Sequence, residues 1–322
     1  MALLPAWASA RVSYLGYRFG AVAAQRTPRA LAEPASRGIG HLFSLLMADR
    51  RTMIERHLRR AHGGDLEGPD LSRAVQAAFE SYSRYWLESF TLPRETPASL
   101  AARFSHEGRE LLDEALALGR GAILAIPHLG GWDYAGAWLA TQGYPLTVVV
   151  ERIEPPDLFE WFVAHRRALG MKVVPLGDGV APATAATLRT GGLLALLCDR
   201  DIPGTGIEVA FFGERTTLPG GPATLALRTG APLLPTASYF QPDGRHLGVV
   251  RPALSVERRG SLRDDVSRIT QDLAYALEAL IRRAPEQWHL MQPNWPSDFD
   301  VPRASSGAGR VPGVRGDGGA PS

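Results

Sequence analysis

The pattern of apolar and polar positions divides the 322-residue chain into two regimes. Up to about residue 118, apolar residues recur at helical spacing. In "GIGHLFSLLMADRRTMIERHLRRAHGG", Leu42, Leu45, Leu46, Met53, Ile54 and Leu58 follow that period, and Gly63-Gly64 stop it. "DLSRAVQAAFESYSRYWLESF" opens on Asp70, a capping-type residue. Its aromatic stripe, Phe79, Tyr82, Tyr85, Trp86 and Phe90, reads as core packing. "HEGRELLDEALALGRG" completes the region as an acidic amphipathic helix ending at Gly119 and Gly121.

From there, short apolar runs alternate with helical periods. "AILAIP", "PLTVVVE", "KVVPL", "LLALLCD" and "PLLPTASYF" read as strands. Between them lie helices: one around residues 132–141, then "PPDLFEWFVAHRRALG", "GVAPATAATLRTG" and "GGPATLALRTG". "IEVAFFG" is a shorter extended piece, "RHLGVVRP" an antiparallel neighbour of the strand before it, and "LRDDVSRITQDLAYALEALIRRAP" a long C-terminal helix. This alternation predicts an α/β fold with a mostly parallel central sheet flanked by helices, preceded by an N-terminal helical region. The expected organisation is a membrane-docking helical region at 1–118 and an α/β core at 119–302 integrated with it. Residues 303–322, rich in Gly, Ser and Pro, are expected to be a disordered tail.

Composition narrows the partners. Hydrophobic residues are 45% and charged residues 21%, enough for a sizeable core, and a net charge of +2 argues against a strong nucleic-acid binder. The total hides an asymmetry: from Arg11 to Arg60, ten arginines face three acids, Glu33, Asp49 and Glu55. A basic, partly apolar helical region suits an anionic membrane surface, the alternative being a solvated helix face. No apolar run approaches about 18 residues, so no transmembrane helix is expected. Arg11 and Arg18 follow the apolar start, the reverse of signal-peptide order. The single cysteine, Cys198, excludes a disulfide framework or cysteine-rich zinc site within one chain and reads as a small core residue. Lys172 is the only lysine, and no P-loop, G-x-S-x-G elbow or H-E-x-x-H occurs.

In parallel sheets, sites gather at the carboxyl ends of strands. His128, Glu151, Asp199 and Arg200 all fall there. "ILAIPHLGGWDYAG" sets His128 just past a strand and Asp133 five residues on. That spacing alone is weak, since roughly 0.4 such pairs arise by chance at this composition. The strand, the Gly-Gly turn and the helix start would bring the two side chains together. An acid on one imidazole nitrogen fixes the tautomer and frees the other nitrogen as a base. With no adjacent serine or cysteine nucleophile, the base would act directly on a bound alcohol, in a single-step acyl transfer from a thioester.

H-x-x-x-x-D after an apolar strand resembles the signature of glycerolipid-type acyltransferases. "HLGGWD" is similar to the branch that contains the lipid A lauroyl/myristoyl acyltransferases, and "CDRDIPGTGIEVAFFGERTTLPGGPATLALRTGAPLLP" resembles that branch's second block. Within the branch, "DRD" and "GIEVAFFGERTTLPGGPA" most resemble the actinobacterial phosphatidylinositol mannoside acyltransferases. The resemblance spans about residues 40–295.

It implies a glycerolipid acyltransferase-like fold. It also implies transfer of a long, palmitoyl-like acyl group from acyl-CoA to the 6-hydroxyl of a mannose on phosphatidylinositol mannosides. No metal or further cofactor is implied, and the expected location is peripheral, on the cytoplasmic face of the plasma membrane. In the implied roles His128 is the base and Asp133 its orienting acid. Glu151 and Arg166 take part in acceptor binding and site architecture, and Asp199, Arg200 and Asp201 match the second block. Arg200 can be held by a carboxylate or meet a phosphate. Trp132 can stack on a sugar, line the acyl channel or pack in the core. Candidates for the acyl groove are Leu129, Trp138, Phe159, Phe162, Phe211 and Phe212. The alternatives are the same chemistry on a lipid A-type acceptor with an acyl carrier protein donor, and a non-catalytic lipid-binding protein of the same fold.

Overall fold

A computed structural model describes residues 6–299; the tail expected at 303–322 lies outside them. Helices α1 (Ala6–Arg26), α2 (Arg29–Leu46), α3 (Ala48–Ala61), α4 (Gly68–Thr91) and α5 (Pro97–Ala102) come first. Strand β1 (Phe104–Glu107) and helix α6 (Arg109–Ala117) lead into β2 (Ala122–Ile126), α7 (Trp132–Thr141), β3 (Leu146–Val150), α8 (Pro156–Ala168), β4 (Lys172–Pro175), α9 (Val180–Arg189) and β5 (Leu193–Leu197). A hairpin of β6 (Ile207–Phe211) and β7 (Glu214–Leu218) precedes α10 (Gly221–Thr229), β8 (Leu233–Phe240), β9 (His246–Val250), α11 (Leu262–Arg282) and α12 (Pro296–Phe299).

The central sheet runs β1-β9-β8-β2-β5-β3-β4. Its pairs are parallel except β8–β9. This is the mostly parallel α/β architecture expected from the alternating pattern. Along β2 the side chains alternate between two cores. Ala122 and Leu124 face Leu112, Tyr134, Ala137 and Trp138 of α6 and α7. Ile123 and Ala125 face a second cluster with Ile269, Leu273, Leu277 and Ile281 of α11. Both faces of the sheet are therefore covered, as parallel strands require.

Two local expectations change, and a third element gains its partner. The region before residue 118 is not wholly helical: Phe104–Glu107 forms β1, paired with β9 from Phe104↔His246 to Glu107↔Val249. "FSHE" carries no apolar alternation, and its partner lies far away in the chain, so no local window shows it. Helix α4 starts one turn earlier than Asp70, with Glu67 at the N-cap position and Pro69 in the first turn. The extended piece "IEVAFF" finds its partner in β7, antiparallel and in register from Ile207↔Leu218 to Phe211↔Glu214.

The N-terminal periodicity divides as well. Met53, Ile54 and Leu58 of α3 are buried, but α2 is turned over. Its buried positions are Ala32, Ser36, Gly40 and Ser44, an i, i+4 stripe of small residues. A Cβ on Gly40 would strike the backbone of Phe79 and Glu80, so α2 lies tightly against α4 only because that stripe is small. The large side chains Leu31, Leu42, Leu45 and Leu46 face outward as a consequence.

Candidate active site

The turn after β2 is set by close packing. Gly130 has a left-handed φ of 59°. A Cβ there would run into the Ser238 carbonyl oxygen of β8, and one on Gly131 would meet the His246 ring. The two glycines let the turn press on β8 and β9, leaving His128 at the strand's end and Trp132 at the first position of α7.

His128 does not meet Asp133. Its Nδ1 pairs with Asp199 Oδ1 at 2.7 Å, and its backbone N–H donates to Asp199 Oδ2 at 2.9 Å. The reason is sheet register. β2 and β5 are adjacent and parallel, with Ile126 opposite Leu197, and the Cys198 amide donates to the Ile126 carbonyl. The residues just past the two strands therefore emerge side by side. Asp199 is fully buried and takes two further contacts: Trp288 Nε1–H to Oδ2 at 2.7 Å, and Asn294 Nδ2–H to its carbonyl at 3.1 Å. Burial works to raise the Asp199 carboxyl pKa. The His128 charge, with hydrogen bonds from His128 and Trp288, outweighs it and holds the group below the usual carboxylate range.

Asp133, expected to orient the imidazole, is the second residue of α7 and its side chain points instead between α4 and α8. Arg166 grips it bidentately, Nε to Oδ1 at 3.0 Å and Nη2 to Oδ2 at 3.1 Å. Tyr85 Oη–H donates to Oδ2 at 2.8 Å, and Ser89 adds a longer contact of 3.4 Å. The phenol of Tyr85 is pushed well above its ordinary pKa, by burial and then by the Asp133 charge, so it remains a donor. Tyr85 belongs to the stripe expected to be plain core. It also stacks on Trp132, with centroids 4.0 Å apart, and Trp132 stands edge-on to His128 at 5.5 Å.

The remaining expected residues divide further. Arg200 Nη2 pairs with Glu151 Oε2 at 2.9 Å; the Arg200 side chain is 20% exposed and that of Glu151 38%, and both line the cavity. Asp201 accepts from the amides of Gly204 and Gly206 and from Thr217 Oγ1, which ties down the loop before β6. Trp288 and Asn294 were missed: they lie in "EQWHLMQPNW", a stretch with no periodicity, and only the unusual density of Trp, His and amide side chains marks it.

His128, Trp132 and the Glu151–Arg200 pair line a cavity of about 1050 Å³. One side runs beneath the sheet among Phe104, Leu112, Leu124, Trp138, Leu146 and Met171. The other reaches Ile153, Phe159 and Phe162, and then Thr224 and Arg228 of α10. Of the acyl-groove candidates, Trp138, Phe159 and Phe162 line this space, while Leu129, Phe211 and Phe212 are packed in the α11 core. A histidine with Nδ1 held by a buried carboxylate and its ring on an apolar cavity can act as a general base in a water-poor site.

A family model for bacterial lipid A biosynthesis acyltransferases matches residues 8–297. The chain belongs to that family. It is 42% identical over 233 residues to the phosphatidylinositol mannoside acyltransferase of Mycobacterium tuberculosis (strain CDC 1551 / Oshkosh), covering 70% of this chain and 72% of that one. It is 37% identical over 297 residues to the protein of the same name from Mycolicibacterium smegmatis, covering 91% and 94%. The lipid A biosynthesis acyltransferase of Haemophilus influenzae is 30% identical over 196 residues, covering 59% and 58%. The resemblance drawn from "HLGGWD" and the "DRD…FFG…GPA" block is the one these matches show, and the acyltransferase assignment extends over most of the chain.

Proposed function

We propose that the protein moves a long acyl chain from acyl-CoA to the 6-hydroxyl of a mannose on a phosphatidylinositol mannoside, with His128 as the base. The observation that carries this reading is the His128–Asp199 pair on an apolar cavity, together with the names of the mycobacterial relatives. His128 Nε2 takes the hydroxyl proton as the mannose oxygen attacks the thioester carbonyl carbon. Asp199 stabilises the imidazolium that forms. When the tetrahedral intermediate collapses, the C–S bond breaks and the imidazolium returns its proton to the CoA sulfur. No acyl-enzyme is formed and no further cofactor enters. Asp133 and Arg166 brace α7, and Glu151 and Arg200 sit where a polar head group would pass. Purified protein given palmitoyl-CoA and the mono- or dimannoside should form acylated product. No transfer, or full activity in His128→Ala, overturns the reading.

The same reading places the protein peripherally on the cytoplasmic face of the plasma membrane. No described helix is long and apolar enough to cross a membrane. The outward side chains of α1 and α2 include Phe19, 77% exposed, and Leu45 and Leu46, 65% and 69% exposed, among the N-terminal arginines. A fully buried large apolar side chain contributes about 1.5–3 kcal/mol, and a basic residue near anionic lipid about 1 kcal/mol. Binding to anionic liposomes should weaken in high salt yet persist, and fall sharply in Phe19→Ser/Leu45→Ser/Leu46→Ser. Unchanged co-sedimentation of that variant rejects the docking.

The Haemophilus influenzae match favours a second reading, a lipid A-type acceptor; an acyl carrier protein donor is the alternative to acyl-CoA paired with it. Competition between donors and between acceptors separates the two. A non-catalytic lipid-binding role leaves the pairing of the partly exposed His128 with buried Asp199 without a purpose.

A further inference from the structure

After α11 the chain returns across the carboxyl ends of β2 and β5 as a strap, residues 285–298. It touches both members of the pair. The Gln287 carbonyl accepts from the Gly130 amide at 2.9 Å, Trp288 bridges Leu129 in antiparallel fashion, and the His289 amide donates to the His128 carbonyl at 2.7 Å. Trp288 Nε1–H meets Asp199 Oδ2 at 2.7 Å. The strap is pinned at its far end by buried Asp298, which accepts from Arg60 at 2.9 Å and from the amides of Asn294 and Trp295 at 3.0 and 3.1 Å.

Asp199 Oδ2 thus receives two donors, the Trp288 indole and the His128 amide, and Oδ1 is left for the ring. Two donors on one oxygen fix the carboxylate plane. We propose that Trp288 is a positioning residue for acyl transfer: its indole N–H orients Asp199 and restrains how strongly that carboxylate holds the His128 proton. This rests on the reading of His128 as the base. Without the indole donor the carboxylate is more basic and pulls harder on the ring proton, so the imidazole becomes harder to deprotonate.

Trp288→Phe keeps an aromatic ring against Phe211 and Phe212. It should lower kcat about 10- to 100-fold, the range for a hydrogen bond to a charged group, with little change in KM for acyl-CoA. The acid limb of the kcat/KM profile should move to higher pH. Phe212→Leu, which loosens the same packing and spares the indole N–H, should lower the thermal midpoint and leave the limb in place. Wild-type kcat and limb in Trp288→Phe, or an equal limb shift in Phe212→Leu, overturns the proposal. If Trp288→Phe does not fold, wild-type protein labelled at the indole nitrogens decides. One indole N–H resonance should titrate with the acid limb and stop doing so in His128→Asn; no resonance following the limb overturns the proposal. Full activity in His128→Ala would instead remove the assignment of the base, a separate failure.

Discussion

Asp133 and Asp199 are both buried, both close to the turn that carries His128, and different in what faces them. Asp133 is closed by Arg166, Tyr85 and Ser89. A guanidinium does not give up its proton in a protein, so that contact is a permanent brace between α7, α4 and α8. Asp199 shares its oxygens between an indole N–H, a backbone N–H and an imidazole. Unlike a guanidinium, an imidazole can take up and release a proton during a reaction, so Asp199 is the carboxylate placed to act in the proposed chemistry. Closeness in the chain located the turn; the hydrogen-bond partners distinguish the brace from the proposed working pair.

The largest test of that division exchanges the two losses. Asp199→Asn can keep its contacts to Trp288 and the His128 amide through its remaining oxygen, and should cut turnover about 10²- to 10⁴-fold with a smaller loss of stability than Asp133→Ala. Asp133→Ala leaves Arg166 buried without its partner and should cost about 3–5 kcal/mol of stability. Denaturant titration and CoA release on both variants check this, and equal stability losses would erase the distinction. A smaller effect sharpens the brace. Asp133→Asn combined with Arg166→Gln should lose less stability than the sum of the single changes, by about 1–3 kcal/mol of coupling. Simple additivity would show that the two residues do not act as a unit.

A pH effect, spread over several units, tests the surroundings of Asp199. Asp199, its folded pKa held below the ordinary value, contributes stability that is present above about pH 3.9 and lost as pH falls through the folded value. His289 beside it is pushed down to about 3, by burial first and then by the His128 charge. The unfolded chain takes up that proton near pH 6.5 and the folded chain only near 3, so stability drains away across the window. The thermal midpoint should fall steadily from pH 7 to pH 4, and His289→Asn should flatten the upper part of the slope. An unchanged slope in that variant would discount His289.

Much of the fold was legible because its signals are local. The strands β2, β3, β4, β5 and β8 and the helices between them follow apolar runs, helical periods and Gly or Pro stops. What escaped notice depends on distant partners. β1 is four largely polar residues that become a strand only against β9. The leucines of α2 follow a helical period, but the period does not say which face meets α4; the need to pass Gly40 beside Phe79 and Glu80 decides that. In the site, His128 was visible from its place after a strand, whereas Tyr85 looked like core and Trp288 lay in an unpatterned stretch.

By itself the sequence determined the alternation of strands and helices, the position of His128 at a strand's carboxyl end, and the family that its two motif blocks resemble. These are written in windows of a few residues to a few dozen. The tertiary structure alone decided which acid meets His128. Asp199 lies 71 residues away from it, and Trp288 lies 89 residues beyond Asp199. Such contacts exist only once β2 and β5 lock in register and the strap folds back over them. Closing those loops costs chain entropy, and burial of the whole core repays it. No local pattern carries that balance.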